Sequence, residues 1–206
     1  ANALPGYPPD AVLGAGGVVS LTVEGVEFAA TTGINSTARF EHLLLDRTYT
    51  TTLNMATVPP NSTLTTPPAG YLITTLSPTT LSALHRYGLI GPGVIEGPVW
   101  WDLDADGLRD PGELPMSGVG ITLTGDVPLL PNGLSHGWTV TTTTDSGGWF
   151  EFLRLLLNHT YTTTINMATT PPLSTLTTPG SFVDALTAED ATEDDDGFGV
   201  IGPGLL

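Results

Sequence analysis

The chain contains no cysteine, and its 206 residues include neither lysine nor glutamine. Without cysteine there is no disulfide, no thiolate metal site and no sulfur nucleophile. Positive charge is scarce: five arginines (Arg39, Arg47, Arg86, Arg109, Arg154) stand against 21 acidic residues, giving a net charge of −16 and a pI near 4.1. Nucleic acids and anionic membrane surfaces are bound through clusters of Lys and Arg, so this composition speaks against both and in favour of cations. No apolar run approaches the roughly 18–20 residues of a membrane-spanning helix, and no signal peptide is visible, as expected of a mature form. A sustained 3.6-residue period is missing as well; Leu76–Arg86 is the one ambiguous helical stretch. Charged residues make up 13% of the chain and hydrophobic residues 40%. A surface this poor in charge is accounted for by Thr-rich strands, by attached glycans, or by burial in an assembly.

What is present is a repeat. Thr48-Tyr49-Thr50-Thr51-Thr52-Leu53-Asn54-Met55-Ala56-Thr57 returns as Thr160-Tyr161-Thr162-Thr163-Thr164-Ile165-Asn166-Met167-Ala168-Thr169. The match continues through Pro59–Pro67 against Pro171–Pro179, and Gly88-Leu89-Ile90-Gly91-Pro92-Gly93 returns as Gly199-Val200-Ile201-Gly202-Pro203-Gly204. The chain therefore reads as two copies of one module. Residues 1–16 form an extended Ala/Gly/Pro arm, 17–94 a first β-sandwich module and 95–206 a second. Short β-branched and aromatic runs, broken by Gly, Pro, Asn and Asp about every ten residues, predict an all-β fold. A hairpin is expected where Asp145-Ser146-Gly147-Gly148 separates Thr139–Thr144 from Trp149–Leu153, with Asp145 capping the turn.

The two copies differ in charge. Before Glu96 five acids stand against three arginines, which leaves −14 of the −16 for the remainder. Within that remainder, Asp102-Leu103-Asp104-Ala105-Asp106-Gly107-Leu108-Arg109-Asp110-Pro111-Gly112-Glu113 has the spacing of a twelve-residue calcium loop. Ca²⁺ takes six to eight oxygens, supplied from loop positions 1, 3, 5, 7, 9 and 12 with glycine at position 6 for the sharp turn. Asp102, Asp104, Asp106, the Leu108 carbonyl, Asp110 and Glu113 fall on those positions in turn, and Gly107 is the sixth residue. Gly97-Pro98-Val99-Trp100-Trp101 before the loop and Leu114-Pro115-Met116 after it are β-like, so the ion is expected to brace a β-domain rather than open a helix pair.

Other features carry weaker signals. Glu189, Asp190, Glu193, Asp194, Asp195 and Asp196, with Asp184 upstream, form either a second cation site or a solvated acidic loop. Sequons at Asn35, Asn61 and Asn158 are candidate glycosylation sites. Trp100 and Trp101 alternate beside the metal loop, where one is expected in the core; a carbohydrate platform is the other reading. The four histidines (His42, His85, His136, His159) have no metal-like or triad-like spacing.

From Gly97 to Gly199 the second copy resembles a Cna-B-type domain of the SdrD B-like family, repeated in the stalks of bacterial adhesins and in related extracellular filaments. The resemblance is carried by Val99-Trp100, the Asp102–Glu113 loop, Gly118-Val119-x-Ile121-x-Leu123, Thr144-Asp145-x-x-Gly148-Trp149-Phe150-x-Phe152, Tyr161 and Asp196-Gly197-Phe198-Gly199. It implies a Greek-key, Ig-like β-sandwich, calcium dependence, and a spacer role without catalysis. Some members of the wider family carry Lys–Asn or Lys–Asp isopeptide bonds, Cys–Gln thioesters or Thr–Gln esters. A chain without Lys, Gln or Cys forms none of them. The first copy matches more weakly and has no counterpart of Gly97–Gly118, so it should lack the ion and an edge strand.

The expectation is a secreted or cell-surface structural subunit, calcium-stabilised and not an enzyme, whose partners are copies of itself. Gly202-Pro203-Gly204-Leu205-Leu206 repeats Gly91-Pro92-Gly93-Val94-Ile95, which runs on into the next module's first strand; head-to-tail strand addition between chains is therefore expected. The alternative is an adhesive or carbohydrate-binding module with glycans as partners.

Overall fold

A computed structural model describes residues 16–33, 36–125 and 139–204. The expected arm and Asn35 lie outside the described residues, apart from Gly16. The chain is all-β, as the alternating pattern predicts, and divides into two compact units between Gly91 and Pro92. Leu76–Arg86 forms no helix.

The N-terminal unit contains β1 (Val18–Val23), β2 (Val26–Thr31), β3 (Arg47–Leu53), β4 (Thr63–Thr66), β5 (Tyr71–Leu76) and β6 (Gly88–Ile90). Glu24 and Gly25, at φ 49° and 81°, make the tight turn that joins β1 to β2 as a hairpin. Four strands form one sheet in the order β2-β1-β3-β5; β4 and β6 pair separately. The buried cluster is small, with Leu21, Tyr49 and Leu76 at its centre and Val23, Phe40 and Leu43 against it.

The C-terminal unit contains β7 (Gly93–Trp101), β8 (Gly120–Gly125), β9 (Thr139–Thr143), β10 (Trp149–Leu155), β11 (His159–Ile165), β12 (Thr175–Leu176), β13 (Ser181–Leu186), β14 (Thr192–Glu193) and β15 (Phe198–Ile201). One sheet runs β13-β11-β8-β9 and the other β10-β7-β15-β12, with β14 beside β7. Their facing side chains, among them Ile95, Val99, Ile121, Leu123, Phe150, Phe152, Leu157 and Phe198, are essentially excluded from solvent. This is a complete sandwich. The expected Asp145–Gly148 turn is present, with the Asp145 carboxylate accepting from the Gly147 and Trp149 amides. It does not close a hairpin, however. β9 pairs with β8 and β10 with β7, so the turn carries the chain from one layer to the other. The apolar residues of Trp149–Leu155 need the second layer's core more than a Thr-rich neighbour.

The two units superpose in register, not merely in sequence. Leu21 faces Thr51 and Tyr49 faces Thr74, as Leu123 faces Thr163 and Tyr161 faces Asp184. The Tyr49 hydroxyl donates to the Leu44 carbonyl as that of Tyr161 donates to Leu156. Asn54 and Asn166 cap identical single turns by accepting from the Ala56 and Ala168 amides. Even the left-handed residues coincide, His42 with Arg154, Asp46 with Asn158 and Asn61 with Leu173.

Candidate metal centre

The calcium-like loop leaves β7 at Trp101 and is pinned at both ends. The Asp102 amide donates to the Val200 carbonyl (3.0 Å), the Trp101 amide to Leu114 (2.9 Å) and the Met116 amide to Val99 (2.8 Å). Strand pairing thus sets the loop's span, and no helix flanks it.

Inside the loop the carboxylates organise the backbone. Asp102 is completely buried; one of its oxygens accepts from the Ala105 amide and the other from Gly107, both at 2.8 Å. Glu113 closes the loop by accepting from Leu103 (2.7 Å) and Asp110 (2.9 Å), and Asp106 accepts from Leu108 (2.8 Å). Gly107 sits at φ +78°, a backbone conformation that side chains rarely adopt, which explains glycine at the sixth position.

Oxygens of Asp102, Asp104 and Glu113 lie within 4.8 Å of one another, as do those of Asp104, Asp106 and Asp110. Asp104 belongs to both groups, so the five carboxylates of the sequence motif fall into two overlapping triads. Burial works against ionisation of Asp102, but the neighbouring Thr177 hydroxyl and the hydrogen bonds from the Gly107 and Ala105 amides outweigh it and hold its carboxyl below the usual range. Asp104 is pushed up, first by partial desolvation and then by the charges of Asp106 and Asp102. A carboxylate has about four lone-pair sites, so each backbone bond leaves oxygen capacity for an ion. An all-oxygen donor set with mutually repelling charges fits a hard divalent cation of the Ca²⁺ type. Arg109 turns away from the carboxylates to lie over Trp149, 5.9 Å from the ring centroid.

The later acidic segment divides. Asp184 of β13, Glu193 of β14 and Asp196 before β15 come together, while Glu193, Asp194 and Asp195 form a more exposed group. Asp196 is 2% exposed and accepts from the Thr163 hydroxyl. One Asp184 oxygen is buried without a hydrogen-bond partner. Burial, followed by the Asp196 and Glu193 charges, pushes Asp184 up to about 7. Asn61 and Asn158 lie exposed at left-handed turn positions. Trp100 is 3% exposed and belongs to the core, whereas Trp101 is half-buried.

One polar cluster was not visible from histidine spacing. The two ring nitrogens of His85 bond the Thr51 and Thr74 hydroxyls at 2.5 and 2.6 Å, and the Tyr87 hydroxyl donates to Thr51 at 2.6 Å. By strand register Thr51 and Thr74 occupy the places of Thr163 and Asp184, and His85, bonded to Thr51 as Asp196 is to Thr163, stands in the place of Asp196. Aligning the two copies at offset 111 would have set His85 against Asp196.

No protein-family profile matches the chain, and no curated protein matches it. Solved structures resemble it loosely. The minor pilin of Streptococcus agalactiae is 14% identical with a TM-score of 0.37, over 93% of this chain and 86% of that one. The shaft pilin SpaA of Lactobacillus rhamnosus GG is 11% identical at 0.40, over 93% and 86%. The Bacillus anthracis TIE protein is 14% identical at 0.38, and the chain spans 31% of its length. A likeness of this size carries no functional argument.

Proposed function

We propose that the chain is a non-enzymatic structural subunit of an extracellular filament or cell-surface stalk. Its C-terminal unit is braced by Ca²⁺ held by Asp102, Asp104, Asp106, the Leu108 carbonyl, Asp110 and Glu113. Copies join head to tail when a terminal segment of one adds a strand to a sheet of the next. The observation that supports this reading is the pairing of a finished module with an unfinished one: the same strand registers recur, yet the first unit leaves apolar side chains in solvent that the second buries. Calcium bound well above its Kd adds several kcal/mol to the unit that holds it, about 2.7 at a hundredfold excess.

The test is electron microscopy of the purified chain with calcium and with chelator, together with limited proteolysis at equal protein concentration. Filaments in calcium and faster cleavage around residues 95–120 after chelation are expected; globular particles and unchanged cleavage would overturn the reading. Removing residues 1–16 separates an arm-mediated joint, which it abolishes, from one made by the other end of the chain.

A second reading has one observation of its own. Trp101, Pro115, Pro171 and the hydroxyl-bearing Thr169 and Thr170 line an open cavity of about 450 Å³. Indole and proline faces beside hydroxyls suit a sugar ring. Glycan-array binding in calcium, lost on Trp101→Ala, would support an adhesive module; a blank array would remove it.

A further inference from the structure

We infer that β2 of the N-terminal unit is an interface: the free edge of this strand pairs antiparallel with the same strand of a second copy of the chain, about a two-fold axis at Ala29. The inference goes beyond the filament reading and does not depend on it, because it joins chains sideways through one sheet rather than head to tail.

The peptide edge is bare. β1 and β2 form a hairpin closed by the two-residue turn Glu24–Gly25, so Val23 and Val26 are its innermost hydrogen-bonded pair. Bonded pairs alternate from there, giving Phe28 with Leu21 and Ala30 with Val19, and the Thr32 amide donating to the Gly17 carbonyl (2.7 Å) continues the phase. The amides and carbonyls of Glu27, Ala29 and Thr31 therefore point away from β1. β2 is the end of its sheet, and no described strand lies on that side. Edge strands are ordinarily protected by Lys, Pro, a bulge or an inward-pointing charge. β2 has none of these: its register with β1 is unbroken over six residues, and its one charged side chain, Glu27, is on the outer face.

The side chains beside it are uncovered as well. Among the described residues β7, β10 and β14 have no strand counterparts in the N-terminal unit, and residues 37–43, in the place of the start of β10, form no strand. Leu156 and Leu157 are 2% and 0% exposed, whereas their counterparts Leu44 and Leu45 are 67% and 40% exposed. β9 is the edge strand equivalent to β2. Its Val140, opposite Leu123, is 8% exposed, while Phe28, opposite Leu21, is 51% exposed. The second layer that shields the edge of the complete unit is missing over this one.

The strand is its own complement, which identifies the occupant. Val26-Glu27-Phe28-Ala29-Ala30-Thr31 places its large and charged side chains before Ala29 and its small ones after it. Antiparallel pairing about Ala29 sets Phe28 of each copy against Ala30 of the other, and Glu27 against Thr31. Each large side chain meets a small one, the two Glu27 carboxylates are kept apart, and Phe28 and Ala30 stay on the inner face of the joined sheet. The same register makes bonded pairs of all three outward-pointing residues, Ala29 with Ala29 and Glu27 with Thr31 on either side. A slip of one residue would set inner faces against outer ones. Charge permits the contact, because the residues before Glu96 carry five acids and three arginines, a balance of −2 out of −16. A patch that matches itself under a two-fold rotation is what an isologous dimer requires.

Sedimentation and residue-resolved hydrogen exchange of the full chain, dilute and concentrated, with calcium and with chelator, test this. Dimers are expected in both conditions. Dimerisation should slow the amides of Glu27, Ala29 and Thr31 about tenfold or more, while those of Val26, Phe28 and Ala30, already bonded to β1, change little. Slow exchange at all three outward amides in the dilute chain would show the edge to be covered by the chain's own residues and would overturn the inference, as would a chain that stays monomeric at every concentration. Filaments in which those amides remain fast overturn it too and leave the filament reading standing; dimers that never form filaments do the reverse. Ala29→Pro removes an outward amide and no bond to β1, so it should weaken the dimer about tenfold or more with monomer melting little changed. Thr31→Arg, opposite Glu27 of the other copy, should tighten it about two- to fivefold. Ile73→Arg, on the edge strand at the far side of the sheet, should dimerise as the unaltered chain does. Loss of dimers in that variant, or undiminished dimers in Ala29→Pro, would place the contact elsewhere and overturn the inference.

Discussion

The C-terminal and N-terminal units share strand registers, caps and left-handed turns, yet among the described residues the first buries sixteen side chains in a continuous cluster and the second three. The difference does not come from the centre of the shared sheet, where Arg47–Leu53 and His159–Ile165 are nearly identical. It comes from β7 and what β7 organises. With that strand present, β10 has a partner, Phe150 and Phe152 reach the core, and the calcium-like loop is anchored at Trp101. Without it the counterpart of β10 loses strand structure and its leucines stay in water. One strand therefore decides whether the same sequence pattern becomes a sandwich or a sheet with a loose cover.

The largest break in that comparison is one truncation made twice. Leu157→Ala removes a fully buried side chain and should destabilise the C-terminal unit by about 2–5 kcal/mol. Leu45→Ala, at the equivalent position, should change the N-terminal unit of the dilute chain by less than about 0.5 kcal/mol. Denaturant unfolding of each variant, followed by exchange at amides unique to each unit, measures both. Equal losses would mean that the N-terminal face is already covered.

A smaller effect separates the loop from the sandwich beneath it. Asp102→Ala leaves the Ala105 and Gly107 amides without their acceptor, which should cost the C-terminal unit about 1–3 kcal/mol even without metal. It should also abolish any stabilisation by added calcium, leaving the N-terminal transition unmoved. Calorimetry with and without calcium checks this, and a calcium response that survives in the variant would place the ion elsewhere. Trp149 offers a second readout, because Arg109 of the loop lies over its ring; its emission should shift on chelation and stop responding in the variant.

Much of this was legible in the sequence because it is local. The spacing Asp102-x-Asp104-x-Asp106-Gly107 specifies a turn and a set of oxygens regardless of surroundings, and Thr48–Thr57 against Thr160–Thr169 announces duplication directly. The layer change at Asp145–Gly148 was not legible, because turn residues state that the chain reverses but not which strand it meets next. Nor was the role of His85, whose partners Thr51 and Thr74 lie on two neighbouring strands. Residues 37–43 escaped for a different reason. Their apolar content resembles β10, and only the absence of a partner strand, which no local pattern encodes, leaves them irregular.

The finest comparison is of charge at one equivalent position, where the two units should respond to pH with opposite signs. Burial lowers the pKa of His85 from 6.5, so its unit is stabilised at a pH above the ordinary imidazole value and loses that contribution as pH falls below it. Asp184 is raised to about 7 and Asp196 is raised with it, so their unit is most stabilised near pH 4 and weakens as pH rises towards 7. In chelator, going from pH 8 to pH 5 should lower the N-terminal transition and raise the C-terminal one, each by a few degrees. His85→Asp then places a carboxyl between Thr51 and Thr74 where no second acid faces it. The acid sensitivity of the N-terminal unit should disappear, at a stability cost of about 1 kcal/mol for the bridging imidazole. If the slope between pH 5 and 6.5 persists in that variant, the proton is taken up by another group, and the correspondence of His85 with Asp196 is one of geometry without consequence for charge.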